Sequence, residues 1–251
     1  MLSGLVANHR TLALVLGSAA LLLLLATSPG IGIVWDEPIY MLAAESYGGW
    51  LGELATSPRT AFSEPSLDRH WSVNVEHPPL DRVGSGLVWA ASRGMLDPLT
   101  AHRLGNALLV ALLVALLYGF VGRTFGRVAG LAAVATLLTL PRFFFHAHVA
   151  ALDVPAAVSI FAVVALFWWA RDRPGLPVGV LLGLAWGVAL ATKINAIVVP
   201  PVLLVWILLC DRRRIGLILS MVVCALALHM TAWFVFPFCA RRHRGRMRRR
   251  T

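Results

Sequence analysis

Trp35-Asp36-Glu37-Pro38-Ile39-Tyr40 is the densest polar constellation in the sequence, two adjacent carboxylates just beyond a long apolar run. A carboxylate at a membrane surface suits general-base chemistry, taking a proton from an attacking hydroxyl or amine. Adjacent side chains cannot both enter one small site, so one reacts while the other orients or caps. Asp36 is the expected reacting group and Glu37 its companion. The plainer alternative is helix capping, since Pro38 suits a first turn whose free amides either acid would satisfy.

Three further groups carry chemistry. In Asn74-Val75-Glu76-His77-Pro78-Pro79-Leu80 the paired prolines hold His77 extended and fix the angle of Glu76 and His77, unless they merely shape a loop. His70 lies close enough in sequence to raise a Glu/His metal site, but ligand spacing is missing and no metal is expected. In Pro141-Arg142-Phe143-Phe144-Phe145-His146-Ala147-His148, followed by Leu152-Asp153-Val154-Pro155, Arg142 reads as a snorkelling or substrate-binding cation, and Asp153 as an N-cap or a site residue. Lys193, the only lysine in the chain, sits in Thr192-Lys193-Ile194-Asn195 and suits a phosphate contact.

The elements that must position these groups are greasy. Of 251 residues, 59% are apolar and 14% charged, with a mean hydropathy of +0.77. Soluble domains carry about 25% charged residues, so the composition excludes an ordinary soluble protein. The net charge of +10 misleads, because seven arginines crowd between Arg241 and Arg250; the rest of the chain holds 15 basic against 12 acidic residues. A nucleic-acid surface would spread its basic groups. Cys210, Cys224 and Cys239 form no CxxC pair, so neither disulfide framework nor zinc knuckle is implied.

Apolar runs predict about seven membrane spans: Leu12–Thr27, Leu104–Val121, Val128–Leu140, Val154–Trp169, Val178–Ala191, Ile194–Leu209 and Ile215–Phe236. Ser28-Pro29-Gly30 is a poor cleavage site, so the first run is read as a retained helix rather than a signal peptide. Residues 33–102 hold nine of the twelve acidic residues with many aromatics, and read as a long outer loop with helices in the interface. One of these runs from Arg82 to Leu96, with Val83, Leu87, Ala90 and Ala91 on its apolar face and Arg82 off it. The connectors at Arg123 and Arg127, Arg171 and Arg173, and Arg212–Arg214 mark the cytoplasmic side, which puts the acidic loop, Arg142–Asp153 and Lys193 on the other. That topology leaves the arginine-rich residues 239–251 on the wrong side. They are read as a basic, aberrant or disordered tail, out of frame on a truncated chain, with a lipid-binding tail as the alternative.

In this order the four groups resemble the GT-C membrane glycosyltransferases, in particular the protein O-mannosyltransferase family and its bacterial relatives, the aminoarabinose transferases included. The likeness spans residues 10 to 237, so 1–238 is expected to form the N-terminal part of an all-α, polytopic GT-C fold. It implies transfer of a hexosyl, mannosyl or pentosyl group from a polyprenyl-phosphate donor to a protein, lipid or glycan acceptor. The active site would face the periplasm or exterior of a bacterial-type plasma membrane. By the resemblance Asp36 is catalytic with Glu37 beside it, while Glu76, His77, Arg142, Asp153 and Lys193 bind the donor phosphate or substrate. No cofactor is implied, and Gly-rich phosphate loops are absent from the sequence. The rivals are an inactive fragment or scaffold, and a transporter, which would bury its ionisable groups nearer mid-membrane.

Overall fold

The computed structural model describes residues 8–173, 175–210 and 215–226; every regular element among them is helical. The chain divides into two compact units, one of Met1–Met41 with Leu87–Val158 and one of Leu42–Gly86 with Ser159–Thr251.

The first unit is built on α1 (His9–Thr27), capped by the Asn8 side chain accepting from the Arg10 amide, and on the long helix α6 (Pro98–Phe125). Asp97 caps α6 through Thr100 N at 3.1 Å, and hydrogen bonding by the Thr100 side chain, with this amide second, holds its carboxyl below the usual range. The helices meet closely: a Cβ on Gly17 would stand 2.7 Å from the Ala111 carbonyl oxygen. Small residues permit such backbone approach where apolar lipid offers no drive to bury greasy surface. Gly126, at φ +95°, turns the chain from α6 into α7 (Arg127–Thr139) in a conformation that L side chains rarely adopt. A 71° bend then separates α7 from α8 (Pro141–His148). Its cause is local, because a residue before proline is pushed out of the helical region and Leu140 is extended at ψ 113°. The unit also contains the start of α2 (Glu37–Thr56), the end of α5 (Leu80–Ser92) and the start of α9 (Asp153–Ala170).

The second unit holds the rest of α2, α5 and α9 with two short helices, α3 (Pro58–Ala61) and α4 (Glu64–His70). It continues through α10 (Leu176–Thr192), a 3-10 turn (Ile194–Val198), α11 (Val199–Cys210) and α12 (Ile215–Leu226). Val163, Phe167, Leu182, Trp186, Leu203, Ile207 and Met221 form its apolar core. Three aromatics of the loop, Tyr47, Trp50 and Trp71, pack on one another, Tyr47 stacked on Trp71 at 4.5 Å and Trp50 edge-on to Trp71 at 5.1 Å. Arg82, expected off the apolar face of its helix, is buried: its guanidinium bonds the Pro78 carbonyl and lies beside Tyr47.

Among the described residues three helices, His9–Gly30, Pro98–Phe125 and Asp153–Ala170, are long and apolar enough to cross a bilayer, and α7 with α8 makes a fourth if the bent pair counts as one span. Leu176–Thr192 and the described extents of the apolar helices Ile194–Cys210 and Ile215–Leu226 are shorter than the roughly 20 residues a hydrocarbon core requires. The seven-span expectation is therefore met for three or four spans. The Arg212–Arg214 connector, the end of the seventh run and the tail at 239–251 lie outside the described residues.

Gly86 supplies a test of helix packing inside the second unit. A Cβ there would stand 2.2 Å from the Ala44 carbonyl oxygen, whereas one on Gly84 of the same helix would meet nothing within 4 Å. Gly86→Val should lower the melting temperature of the detergent-solubilised protein, at an overpacking cost of about 1–3 kcal/mol. Gly84→Ala should leave it unchanged or raise it.

Candidate active site

The end of α1 and the start of α2 are joined by a chain that makes little regular structure, residues 28–36, broken by Pro29 and Gly30. Its shape comes from one buried cation. Arg103, in the second turn of α6, donates Nε to Glu37 Oε1 at 2.7 Å and Nη2 to Glu37 Oε2 at 2.8 Å. Its remaining hydrogens reach the carbonyls of Ser28 (3.2 Å), Ile31 (2.8 Å) and Gly32 (2.9 Å). All five donors of the guanidinium are thus used. Arg103 and Glu37 are 2% and 0% exposed.

Glu37 accepts two more bonds, from Val34 N at 3.3 Å and Ala150 N at 2.9 Å. The second ties the 149–152 loop to the start of α2, and the Asn106 amide reinforces it by donating to the Val149 carbonyl. His148 fixes the other end of that loop, with Nδ1 2.7 Å from the Phe144 carbonyl and Nε2 2.6 Å from Thr27 Oγ1. The end of α1, the start of α6 and the end of α8 therefore meet at one end of the first unit.

Asp36 and Glu37 take opposite environments. Glu37 points inward to Arg103, while Asp36 is exposed and its carboxylate meets no described side chain. Trp35 beside it is 97% exposed. Asp153 opens α9 three residues beyond Ala150 and pairs with His146, whose Nδ1 lies 3.2 Å from Asp153 Oδ2. Arg142 is exposed on the first turn of α8. Within the first unit Glu37 thus joins the segment that Arg103 organises to the 149–152 loop that precedes Asp153, with Asp36 exposed beside Glu37 and Arg142 on the bent helix leading into that loop. Arg103 was missed in the sequence because it falls at the edge of an apolar run, where an arginine ordinarily reads as a flank. An arginine in the second turn after the Asp97 cap, immediately before the apolar run that opens at Leu104, is the signal that marks it.

Glu76, His77 and Lys193 belong to the second unit. Asn74 adopts the left-handed conformation at φ 53°, tolerated best by short polar side chains, and its amide donates to Glu76 Oε1 at 2.7 Å. The Tyr47 hydroxyl donates to the Val73 carbonyl at 2.5 Å, so the chain entering the His77-Pro78-Pro79 segment is held from inside. His70 faces acceptors on both sides, the Ser46 carbonyl at 2.8 Å and Glu53 Oε2 at 3.2 Å, and so pairs with Glu53. Lys193 is extended between α10 and the 3-10 turn, whose Ala196 carbonyl accepts from Trp186 Nε1 at 2.7 Å.

Two measurements probe these environments. Arg103→Met should cost about 3–5 kcal/mol, because it leaves the Glu37 carboxylate buried without its counter-charge; loss of a detergent-stable melting transition is the readout. Asp81 lies next to the proline segment, and loss of water around it pushes its carboxyl from 3.8 up to about 6, opposed by Arg82. The folded state then binds the proton more tightly than the unfolded chain, so this group's contribution to stability falls as pH rises from about 4 to 6 and is constant above. The difference in melting temperature between wild type and Asp81→Asn should change across that window and level off above it.

No curated protein and no solved structure matches the chain. The sequence model of the dolichyl-phosphate-mannose-protein mannosyltransferase family does match, over residues 87–236. That stretch carries Arg103, the bent helix with Arg142, Asp153 and Lys193, and leaves Asp36, Glu37, Glu76 and His77 outside it. With apolar helices able to span a bilayer and more than half of its length matched, the chain belongs to the dolichyl-phosphate-mannose-protein mannosyltransferase family of membrane glycosyltransferases.

Proposed function

We propose that the protein transfers a sugar from a polyprenyl-phosphate donor to a hydroxyl or amine acceptor on the non-cytoplasmic face of the membrane, with Asp36 as general base. The observation that carries this reading is the division of the two adjacent carboxylates. Glu37 is fully engaged by Arg103, Val34 N and Ala150 N, while Asp36 is exposed beside the loop leading to Asp153. Glu37 is therefore the positioning residue and Asp36 the reacting one.

Asp36 takes the acceptor proton as the acceptor atom attacks the anomeric carbon from the face opposite the leaving phosphate, inverting that carbon in one displacement. The transition state resembles an oxocarbenium ion. The departing lipid phosphate needs positive charge more than it needs an acid, and Arg142 supplies it in the first unit by charge-assisted hydrogen bonds. Lys193, Glu76 and His77 are proposed as substrate contacts carried by the second unit, and no cofactor takes part. The basic chain from Cys239 onward is assigned no part in the reaction.

Asp36→Asn keeps the size and helix-start role of the residue and removes the base. Sugar release from polyprenyl-phosphate-mannose, or from the best donor in a panel of polyprenyl-phosphate sugars, should fall about 10²–10⁴-fold. Membrane insertion and melting temperature should hold. Turnover equal to wild type removes Asp36 as the base.

A further inference from the structure

The bent helix α8 carries a second group of side chains that the proposed base does not use. Arg142 and His146 are one turn apart and share a face of this helix. The Asp153 carboxylate occupies His146 Nδ1 at 3.2 Å, while the ring remains 32% exposed and Asp153 51% exposed. His146 Nε2 makes no hydrogen bond to a described residue, and the Arg142 guanidinium meets none of their side chains. A carboxylate on one ring nitrogen fixes the ring's orientation and leaves the other nitrogen to serve a partner. Phe145 packs edge-on against the ring at 5.6 Å and limits its rotation. Two nitrogen donors one turn apart, with the ring held by a fixed acid, match a tetrahedral oxyanion better than they match a sugar hydroxyl.

We propose that Arg142 and His146 together hold the phosphate of the lipid-linked donor, and that Asp153 is the positioning residue of the His146 ring; this rests on the glycosyltransferase reading above. In the transfer, the bond between the anomeric carbon and the phosphate oxygen breaks, and its electron pair stays on that oxygen. The acceptor atom forms the new bond to the anomeric carbon and gives its proton to Asp36. Arg142 and the Nε2 of His146 donate hydrogen bonds to the phosphate and give up no proton, and the phosphate leaves as the lipid phosphate monoester.

The test is binding of polyprenyl phosphate to the full chain in phosphatidylcholine nanodiscs. His146→Gln retains a hydrogen bond to Asp153 but no charge, whereas His146→Lys retains the charge. A lost charge-assisted contact predicts about 10- to 100-fold weaker binding for His146→Gln, with His146→Lys within a few-fold of wild type. Asp153→Asn should weaken binding in the wild-type background and have no further effect in the His146→Lys background, where no ring needs orienting. Arg142→Gln should lose affinity as His146→Gln does, and supplies the same reading should the histidine variant not fold. Wild-type binding by His146→Gln, or equal losses in His146→Gln and His146→Lys, overturns the proposal. So does equal binding when phosphatidylglycerol replaces polyprenyl phosphate, which would reveal a general anionic-lipid contact. Wild-type protein that binds no polyprenyl phosphate overturns the glycosyltransferase reading along with it.

Discussion

A guanidinium buried in an apolar bundle is tolerable only if every one of its hydrogens finds an acceptor, and Arg103 meets that requirement with one carboxylate and three backbone carbonyls. Removing an ion from water costs several kcal/mol even after relaxation, so the surrounding chain has little freedom. Ser28, Ile31 and Gly32 must present their carbonyls to Arg103, and α1 tightens into a 3-10 turn at Ser28–Gly30 before the chain becomes extended at Ile31. Glu37 must point inward, which settles where α2 begins. Lysine could not replace Arg103, having three donors on a point charge where the site uses five in a planar fork.

The same constraint sets the two adjacent carboxylates apart. Because Glu37 is committed to the interior, its neighbour Asp36 is left outside, and one dipeptide supplies both an anchor and a solvent-facing acid. Glu37 Oε1 also accepts from Ala150 N, which draws the loop preceding Asp153 to the same end of the unit. Pro141 contributes separately. By forcing Leu140 out of the helical region it bends the chain by 71°, and the short helix that follows carries Arg142 and His146 into the loop ending at Asp153. Family membership makes glycosyl transfer the general activity, and these contacts tie the start of α2 to the loop that leads to Asp153.

The second unit resolves a similar difficulty without an internal ion pair as complete. Its acidic, aromatic loop turns part of its polarity inward, where the Tyr47 hydroxyl bonds the Val73 carbonyl and Arg82 bonds the Pro78 carbonyl. His70, Glu53, Ser46 and Ser66 form a connected polar group, with Ser66 Oγ donating to Glu53 Oε2 at 2.7 Å. Close backbone contact at Gly86 leaves room for this packing.

Hydropathy and composition by themselves determined the membrane class, the all-helical architecture, the boundaries of α1 and α9 to within three residues, the middle of α6 though not its first six residues, and the polar segments that hold the candidate residues. These follow from the sequence because they depend on local apolar run length and on proline and glycine placement. Only the tertiary structure decided that Glu37 is interior and Asp36 exterior, since adjacent residues of like charge differ only in what lies opposite them. The partner of Glu37 is 66 residues away in the chain, and no local pattern announces it. The same holds for Arg82: helical periodicity set it off the apolar face, and burial came from Tyr47 and the Pro78 carbonyl, which periodicity does not see. Span length was legible, but the 71° bend at Pro141 into a second short helix was not, because hydropathy measures how greasy a run is and not where its backbone hydrogen bonding stops.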